Sequence, residues 1–382
     1  MSDRGVRCGQ TGGMEVVAII GGVAIIVLAF ADLLNTLVST STSGSRWWPT
    51  SIVGYRLFAV VRGIARRLKE DFWFRNRLMS MFAPLMFLTL LTMWAALQIV
   101  GFGLIWWGLD GVEGIESLGD DLYYSGVVFF TVGFGEVLPV DTIPRVGAII
   151  EAFFGVLTIA LVIGYLPSLY SAYSERERQL MLLDDGSDDR ITPTELVMAW
   201  APTADPADFD EHFDEWERWI ASVSETHATL PLLTLFRSHD PRQNWVTALG
   251  LVSDAAIHAQ IIVGSSGRTS SYWFLRRSIA LFEQLTEGID LSDYARFAPT
   301  SAETNENEDF FRELYGRLDE HGFEILPYEE ARERARIIRG RWAPQMEYLI
   351  DSLLCPRGFW SPKVGLVLPE PSRTTADLVD DA

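Results

Sequence analysis

The sequence predicts an all-α membrane protein, in which three transmembrane helices, with a short re-entrant helix and loop between the last two, precede a soluble all-helical domain. Apolar residues make up 48% of the 382, high for a soluble chain of that length. They gather in three long runs before residue 174. Charge is divided as well: residues 1–174 hold 13 acids and 11 bases, net −2, whereas 175–382 hold 38 acids and 20 bases, net −18. The two parts therefore face different solvents, and the acidic one would repel nucleic acid and anionic lipid alike.

Residues 14–38 form the first predicted span. Val16 to Ala31 carries no charge and, with its flanks, reaches the ~20 residues a helix needs to cross a bilayer. Asp32 and Asn35, at its far end, read as interfacial residues in contact with water. Residues 45–77 differ: Arg46, Arg56, Arg62, Arg66, Arg67, Lys69, Arg75 and Arg77 alternate with Trp47, Trp48, Tyr55, Phe58, Val61, Phe72 and Trp73. Such a basic amphipathic stretch fits a helix at headgroup level. A voltage sensor would need arginines at regular third positions on a spanning helix with three companions, and the spacing here is irregular. The positive-inside rule places the stretch in the cytoplasm.

Residues 78–109 then span outward, with Trp106 and Trp107 read as anchors at the outer interface. An acidic loop with Asp110, Glu113 and Glu116 follows, and residues 140–173 return to the cytoplasm before Glu175-Arg176-Glu177-Arg178. With the basic stretch inside, the first helix runs inward and leaves residues 1–13 as a short external N-terminus. Arg4 and Arg7 would also suit a signal peptide. Cleavage would leave the new N-terminus outside, against the cytoplasmic placement of residues 45–77, so the first helix is expected to be retained.

Between the last two spans, Asp120 or Asp121 is expected to cap a short helix over residues 119–130. Thr131-Val132-Gly133-Phe134-Gly135-Glu136 follows it. Successive carbonyls of an ordinary strand point to opposite sides. Turning them toward one axis requires alternating backbone handedness, which glycine adopts at little cost, hence Gly133 and Gly135. Rings of such carbonyls replace the hydration shell of K⁺. Thr131 can add its hydroxyl to the innermost ring, while Val132 and Phe134 are expected to pack against the protein. The carbonyl end of the short helix would favour a cation in the cavity below, and Glu136 and Asp141 would gather cations at the outer mouth.

Residues 78–174 resemble the two-helix pore module of the potassium channel family, of the prokaryotic two-pore-domain-like kind. Thr131 to Gly135 match its Thr-Val-Gly-Tyr/Phe-Gly-Asp signature, with Glu136 in the place of aspartate. The resemblance implies that 119–130 is a pore helix and 131–136 a selectivity filter. It further implies bracing by the aromatic pair Tyr123 and Tyr124, and a gating hinge at Gly155; Gly164 and Pro167 could bend the same helix nearer the cytoplasm. Phe130 and Val127 depart from the family's second threonine and pore-helix glutamate, and Phe134 lacks the tyrosine hydroxyl, so a less firmly braced filter is expected. One motif per chain implies a homotetramer in the lipid bilayer; Val263-Gly264-Ser265-Ser266-Gly267 is no second copy. The expected activity is passive K⁺ conduction in the plasma membrane of a bacterium, with a cytoplasmic C-terminus. A non-conducting receptor or scaffold and a weakly selective cation channel are the competing readings.

Residues 175–360 read as an acidic helical domain. Phe209, Phe213, Trp216, Ile220 and Val223 recur at helical spacing after Asp205-Pro206, a stripe that suits a core. Further helical runs cover about 241–262, 270–287, 304–322 and 328–354. Residues 361–382, rich in proline and acids, are expected to be disordered. No strand-borne Gly-x-Gly-x-x-Gly is present, and His212, His227, His239, His258 and His321 lack metal-ligand spacing, so each reads as a surface or satisfied polar residue. Two cysteines, Cys8 and Cys355, imply neither a disulfide framework nor a zinc site. The chain is read as no enzyme, with no cofactor beyond permeant K⁺, and the regulator of its cytoplasmic domain is unknown from sequence.

Overall fold

The structure, a computed structural model, describes residues 12–37, 48–68, 72–109, 112–115, 117–183, 191–238, 244–262, 267–297 and 305–355. The expected disordered tail and nearly all of the external N-terminus lie outside them. The described residues fall into two compact units, one reaching Ser171 and including Ala228–Leu233, the other made of Ala172–His227 and the residues from Thr234 on.

The first unit contains α1 (Gly12–Leu37), α2 (Pro49–Arg67), α3 (Phe72–Ser80), α4 (Phe82–Leu109), strand β1 (Val112–Glu113), α5 (Leu118–Phe129), strand β2 (Leu138–Pro139) and most of α6 (Thr142–Met181). Three stretches, α1, α4 with the end of α3, and α6, are long and apolar enough to cross a membrane. At ~1.5 Å per residue the 26 residues of α1 and 28 of α4 extend about 40 Å, and the 40 of α6 about 60 Å, against a hydrocarbon core of ~30 Å. Glu175-Arg176-Glu177-Arg178 therefore lies inside α6 and does not end it.

α1 packs along α4 because glycines let the backbones approach. A Cβ at Gly22 would stand 2.3 Å from the Gly101 oxygen, and one at Gly108 would stand 2.6 Å from Ile19. Near the end of α1 the structure corrects the sequence: Asp32 is not at the water but fully buried. Thr50 donates to its carboxylate through Oγ1 at 2.6 Å and through its backbone N–H at 3.2 Å, and Trp94 Nε1 donates at 2.8 Å. The physical reason is a shortage of acceptors. The first N–H groups of α2 have no partner within that helix, and a buried indole also needs one. Asn35 is half-buried. The basic stretch forms two helices, α2 and α3; α2 exposes Tyr55, Val60 and Ile64 beside its arginines and buries only Val61 and Ala65.

The second unit holds the last turns of α6 with α7 (Pro193–Trp200), α8 (Phe209–Thr229), α9 (Trp245–Ile261), α10 (Gly267–Leu285), α11 (Asn305–His321), α12 (Tyr328–Gly340) and α13 (Ala343–Leu353). Every residue of α9 is buried, and α7, α10, α12 and α13 contact it. Three of its polar side chains are paired outward: Ser253 with Ser278 at 2.8 Å, Gln260 with Ser271 at 2.7 Å, and Asp254 with Arg339 at 3.1 Å. Phe209, Phe213, Trp216, Ile220 and Val223 join this core. Pro206 opens a short 3₁₀ turn capped by Asp205, and α8 starts at Phe209. Leu180 of α6 belongs to the same core, and Arg176 is buried with Nη2 donating to the Phe236 carbonyl at 2.7 Å and its guanidinium over the Trp245 ring.

His227 and His258 are core residues rather than surface ones. His227 Nδ1 meets the Val223 carbonyl at 2.8 Å, while its Nε2 has no hydrogen-bond partner among the described residues. His321 meets the Ala201 carbonyl, His212 stacks on Trp200, and His239 lies outside the described residues.

Candidate functional site

The helix before the glycine-containing loop is α5, and its cap is Ser117 rather than Asp120 or Asp121. Ser117 is extended (φ −139°, ψ 161°) and accepts from the Asp120 N–H at 3.4 Å, while the Asp120 carboxylate accepts from the Ser117 N–H at 2.9 Å. This is a capping box with Asp120 at its third position. Asp120 cannot be the cap because it is already helical; Asp121 is buried beside it.

α5 ends at Phe129, with Phe130 as C-cap. The Thr131 N–H donates to the Val128 carbonyl at 3.0 Å, and the Val132 N–H to the Val127 carbonyl at 2.9 Å. Those two bonds define a Schellman motif, whose left-handed position usually holds glycine. Here it holds Thr131, at φ 53°. A β-branched residue in that region is strained by roughly 1–2 kcal/mol. Two of the helix-end carbonyls expected to face a cavity thus already accept from the loop's own N–H groups.

Beyond Thr131, φ is positive at Gly133 (62°) and Gly135 (82°) but not at Val132 or Phe134. Backbone handedness therefore alternates through residues 131–135, including one position, Thr131, that glycine content does not reveal. Thr131 to Glu136 are all exposed on the single chain. Val132 is 50% and Phe134 68% exposed, so within one chain neither has the protein packing expected of it.

Elements around the loop fix its ends. Val112 pairs with Pro139 and Glu113 with Leu138 in a short antiparallel ladder. The Tyr123 hydroxyl donates to the Glu136 carboxylate, tying the first turns of α5 to the residue after the loop. Tyr124 points the other way: it is buried, edge-on to Trp106 at 5.5 Å. Asp141 is exposed just before α6 and its carbonyl accepts from the Arg145 N–H at 3.2 Å. Gly155 packs against the end of α5, where a Cβ would meet the Phe129 oxygen at 2.0 Å, whereas a Cβ at Gly164 would meet nothing within 4 Å. Pro167 sits inside α6 without interrupting it.

Behind the loop lies a cluster that the sequence reading missed. Glu151 of α6 is fully buried. Trp106 Nε1 of α4 donates to its Oε2 at 2.7 Å, and the Ser125 hydroxyl of α5 donates to its Oε1. Ser125 Oγ is also 2.9 Å from the Ile99 carbonyl of α4. Farther along α6, Gln98 Nε2 of α4 donates to Thr158 Oγ1 at 3.0 Å. Trp106 is thus an interior residue, not an interfacial anchor. One signal was available: Glu151 is the single charged residue between Arg145 and Glu175, and a lone carboxyl in an apolar span needs a partner.

Residues 85–171 match the family model described as Ion channel. The matched segment contains α5, residues 131–136, α4 from Leu85 onward and α6 as far as Ser171. Over 189 residues the chain is 27% identical to the uncharacterized membrane protein YdjJ of Bacillus subtilis (strain 168), an alignment covering 47% of this chain and 53% of that protein. The chain thus spans about half the length of that relative. No solved structure matches.

Proposed function

We propose that the chain is one subunit of a homotetrameric, potassium-selective channel that conducts K⁺ passively across the plasma membrane. The observation that carries this reading is the alternation of backbone handedness at Thr131, Gly133 and Gly135, placed at the end of a short capped helix within the ion-channel segment. That alternation lets successive carbonyls turn to one side, as needed to replace the water around a bare K⁺ ion. Four copies around one axis would also supply the cover that Val132 and Phe134 lack in a single chain. Glu136 and Asp141 would stand at the outer mouth, with Tyr123 holding Glu136 in place. Gly164 and Pro167 are the bending points of α6. The proline has no N–H for the Ile163 carbonyl, and no neighbour crowds Gly164. By the positive-inside rule α2 and α3 are cytoplasmic, as is the acidic helical domain. The protein is no enzyme and takes no cofactor beyond its permeant ion.

Purified protein in liposomes under a K⁺ gradient tests the reading. Barium-sensitive ⁸⁶Rb⁺ uptake is the expected result, and Gly133→Asp abolishes the preference for K⁺ over Na⁺. A weakly selective cation pathway, favoured by the exposed and hydroxyl-free Phe134, would appear as equal K⁺ and Na⁺ permeability. Absence of flux at every pH, voltage and calcium level tried would leave the scaffold reading.

A further inference from the structure

We propose that Glu151 is a positioning residue for the ion pathway, holding α5, and through it residues 131–135, in fixed register with α4 and α6. The inference rests on the conduction reading and adds to it the part that carries movement of α6 to the loop.

Three helices meet on this one carboxyl group. Trp106 reaches it from α4 and Ser125 from α5, each on a different oxygen, and Glu151 itself belongs to α6. A second contact repeats the geometry one turn later. Gly155, four residues after Glu151, lies against the oxygen of Phe129, four residues after Ser125. Residues four apart share a helix face. The pairs Glu151–Ser125 and Gly155–Phe129 therefore fix both the height and the rotation of α5 against α6. Phe129 is joined through Phe130 to Thr131, whose N–H and that of Val132 are bonded back onto α5. A displacement of α5 consequently reaches the loop backbone with no flexible joint between.

The choice of residue points the same way. A carboxyl group in an apolar span is expensive, and well-packed apolar side chains often stabilise as much as a buried polar cluster does. What the polar cluster adds is direction, since its hydrogen bonds are met in one arrangement of the three helices and lost in others.

Full-length protein in planar bilayers under bi-ionic K⁺/Na⁺ conditions reads the effect. Glu151→Ala removes two hydrogen bonds and is expected to raise the Na⁺-to-K⁺ permeability ratio at least about five-fold, the factor that about 1 kcal/mol represents, and to hasten loss of current during sustained opening. Ser125→Ala and Trp106→Phe should shift both readouts the same way by less. Ser125→Ala combined with Glu151→Ala should add little to Glu151→Ala alone. Glu151→Gln should restore the wild-type ratio within about two-fold, because its oxygen can accept from Trp106 and its amide can donate to Ser125. Intact assemblies of Glu151→Ala and Ser125→Ala with wild-type ratio and wild-type current decay would overturn the inference. If Glu151→Ala does not assemble, Ser125→Ala and Trp106→Phe decide, and wild-type behaviour in both overturns it. A wild-type protein that conducts nothing overturns the conduction reading and this inference with it, an outcome distinct from normal conduction by unaltered variants.

Discussion

Gly155 of α6 is seated against the main-chain carbonyl of Phe129, the last residue of α5. A Cβ at position 155 would stand 2.0 Å from that oxygen and 2.9 Å from its carbon. Both neighbours are backbone, so no flexible side chain can swing aside to make room. Read as a hinge, Gly155 replaced by alanine would lower open probability and leave selectivity alone. The contact gives another expectation: Gly155→Ala pushes the end of α5, and with it Thr131, out of place, at an overpacking cost of about 1–3 kcal/mol. Thermal unfolding of the detergent-solubilised protein should move down and K⁺ selectivity should weaken together. Altered open probability with an unchanged permeability ratio would return the residue to a hinge role.

Asp32 offers a stability test that is independent of conduction. It is the common acceptor for Trp94, the Thr50 hydroxyl and a backbone N–H at the start of α2. Asp32→Ala strands the buried Trp94 indole N–H, at about 1–3 kcal/mol once unpaired, together with the half-buried Thr50 donors. Trp94→Phe removes one donor together with its need and should cost clearly less. Melting curves of the two variants in one detergent rank them; equal melting points would mean that the Asp32 carboxylate is solvated after all.

Much of the architecture was legible from periodicity and composition because lipid and water impose different patterns on helices. The apolar runs located α1, α4 and α6, and the stripe from Phe209 to Val223 marked one wall of the second core. Polar residues with interior roles were not legible. Asp32 and Trp106 sit near the ends of apolar runs, where an interfacial residue has the same sequence signature as a buried one. Only a partner from another helix, Trp94 for the first and Glu151 for the second, separates the two cases. In the loop, Gly133 and Gly135 advertised their φ angles, but Thr131 could not, since its left-handed backbone is imposed by the Schellman end of α5. The cap at Ser117 was hidden by two neighbouring aspartates of equal capping propensity.

In the second unit, Arg339 and Asp254 form a buried ion pair, Nη2 to Oδ2 at 3.1 Å, with side chains 5% and 8% exposed. Breaking such a pair from one side leaves a charge in the core. Asp254→Ala is therefore expected to destabilise by about 3–5 kcal/mol, and the double change Asp254→Leu with Arg339→Met should recover most of the loss. Chemical denaturation of the full chain measures both. A double variant no more stable than Asp254→Ala would mean that the pair is not the source of the penalty.

The same core predicts how stability responds to acid. Burial, followed by the nearby Arg339 charge, pushes His258 down from 6.5 to about 3, and burial followed by the Arg176 charge takes His227 to about 3 as well. Both are neutral in the folded protein, whereas in the unfolded chain each takes up a proton near its ordinary value of 6.5. Between those limits the unfolded state binds more protons, so stability rises with pH there. The contribution is complete above 6.5 and is lost as pH falls toward 3, at up to about 1.4 kcal/mol per pH unit for each histidine. Paired carboxylates also weaken in acid, which makes absolute stability a poor readout. The decisive quantity is the slope between about pH 6.5 and about pH 5, where carboxylates contribute least. His258→Gln is expected to flatten that slope by close to one proton even if it lowers stability at neutral pH. Parallel slopes for wild type and variant would show that the imidazole reaches water in the folded state, and would remove the burial on which the expectation stands.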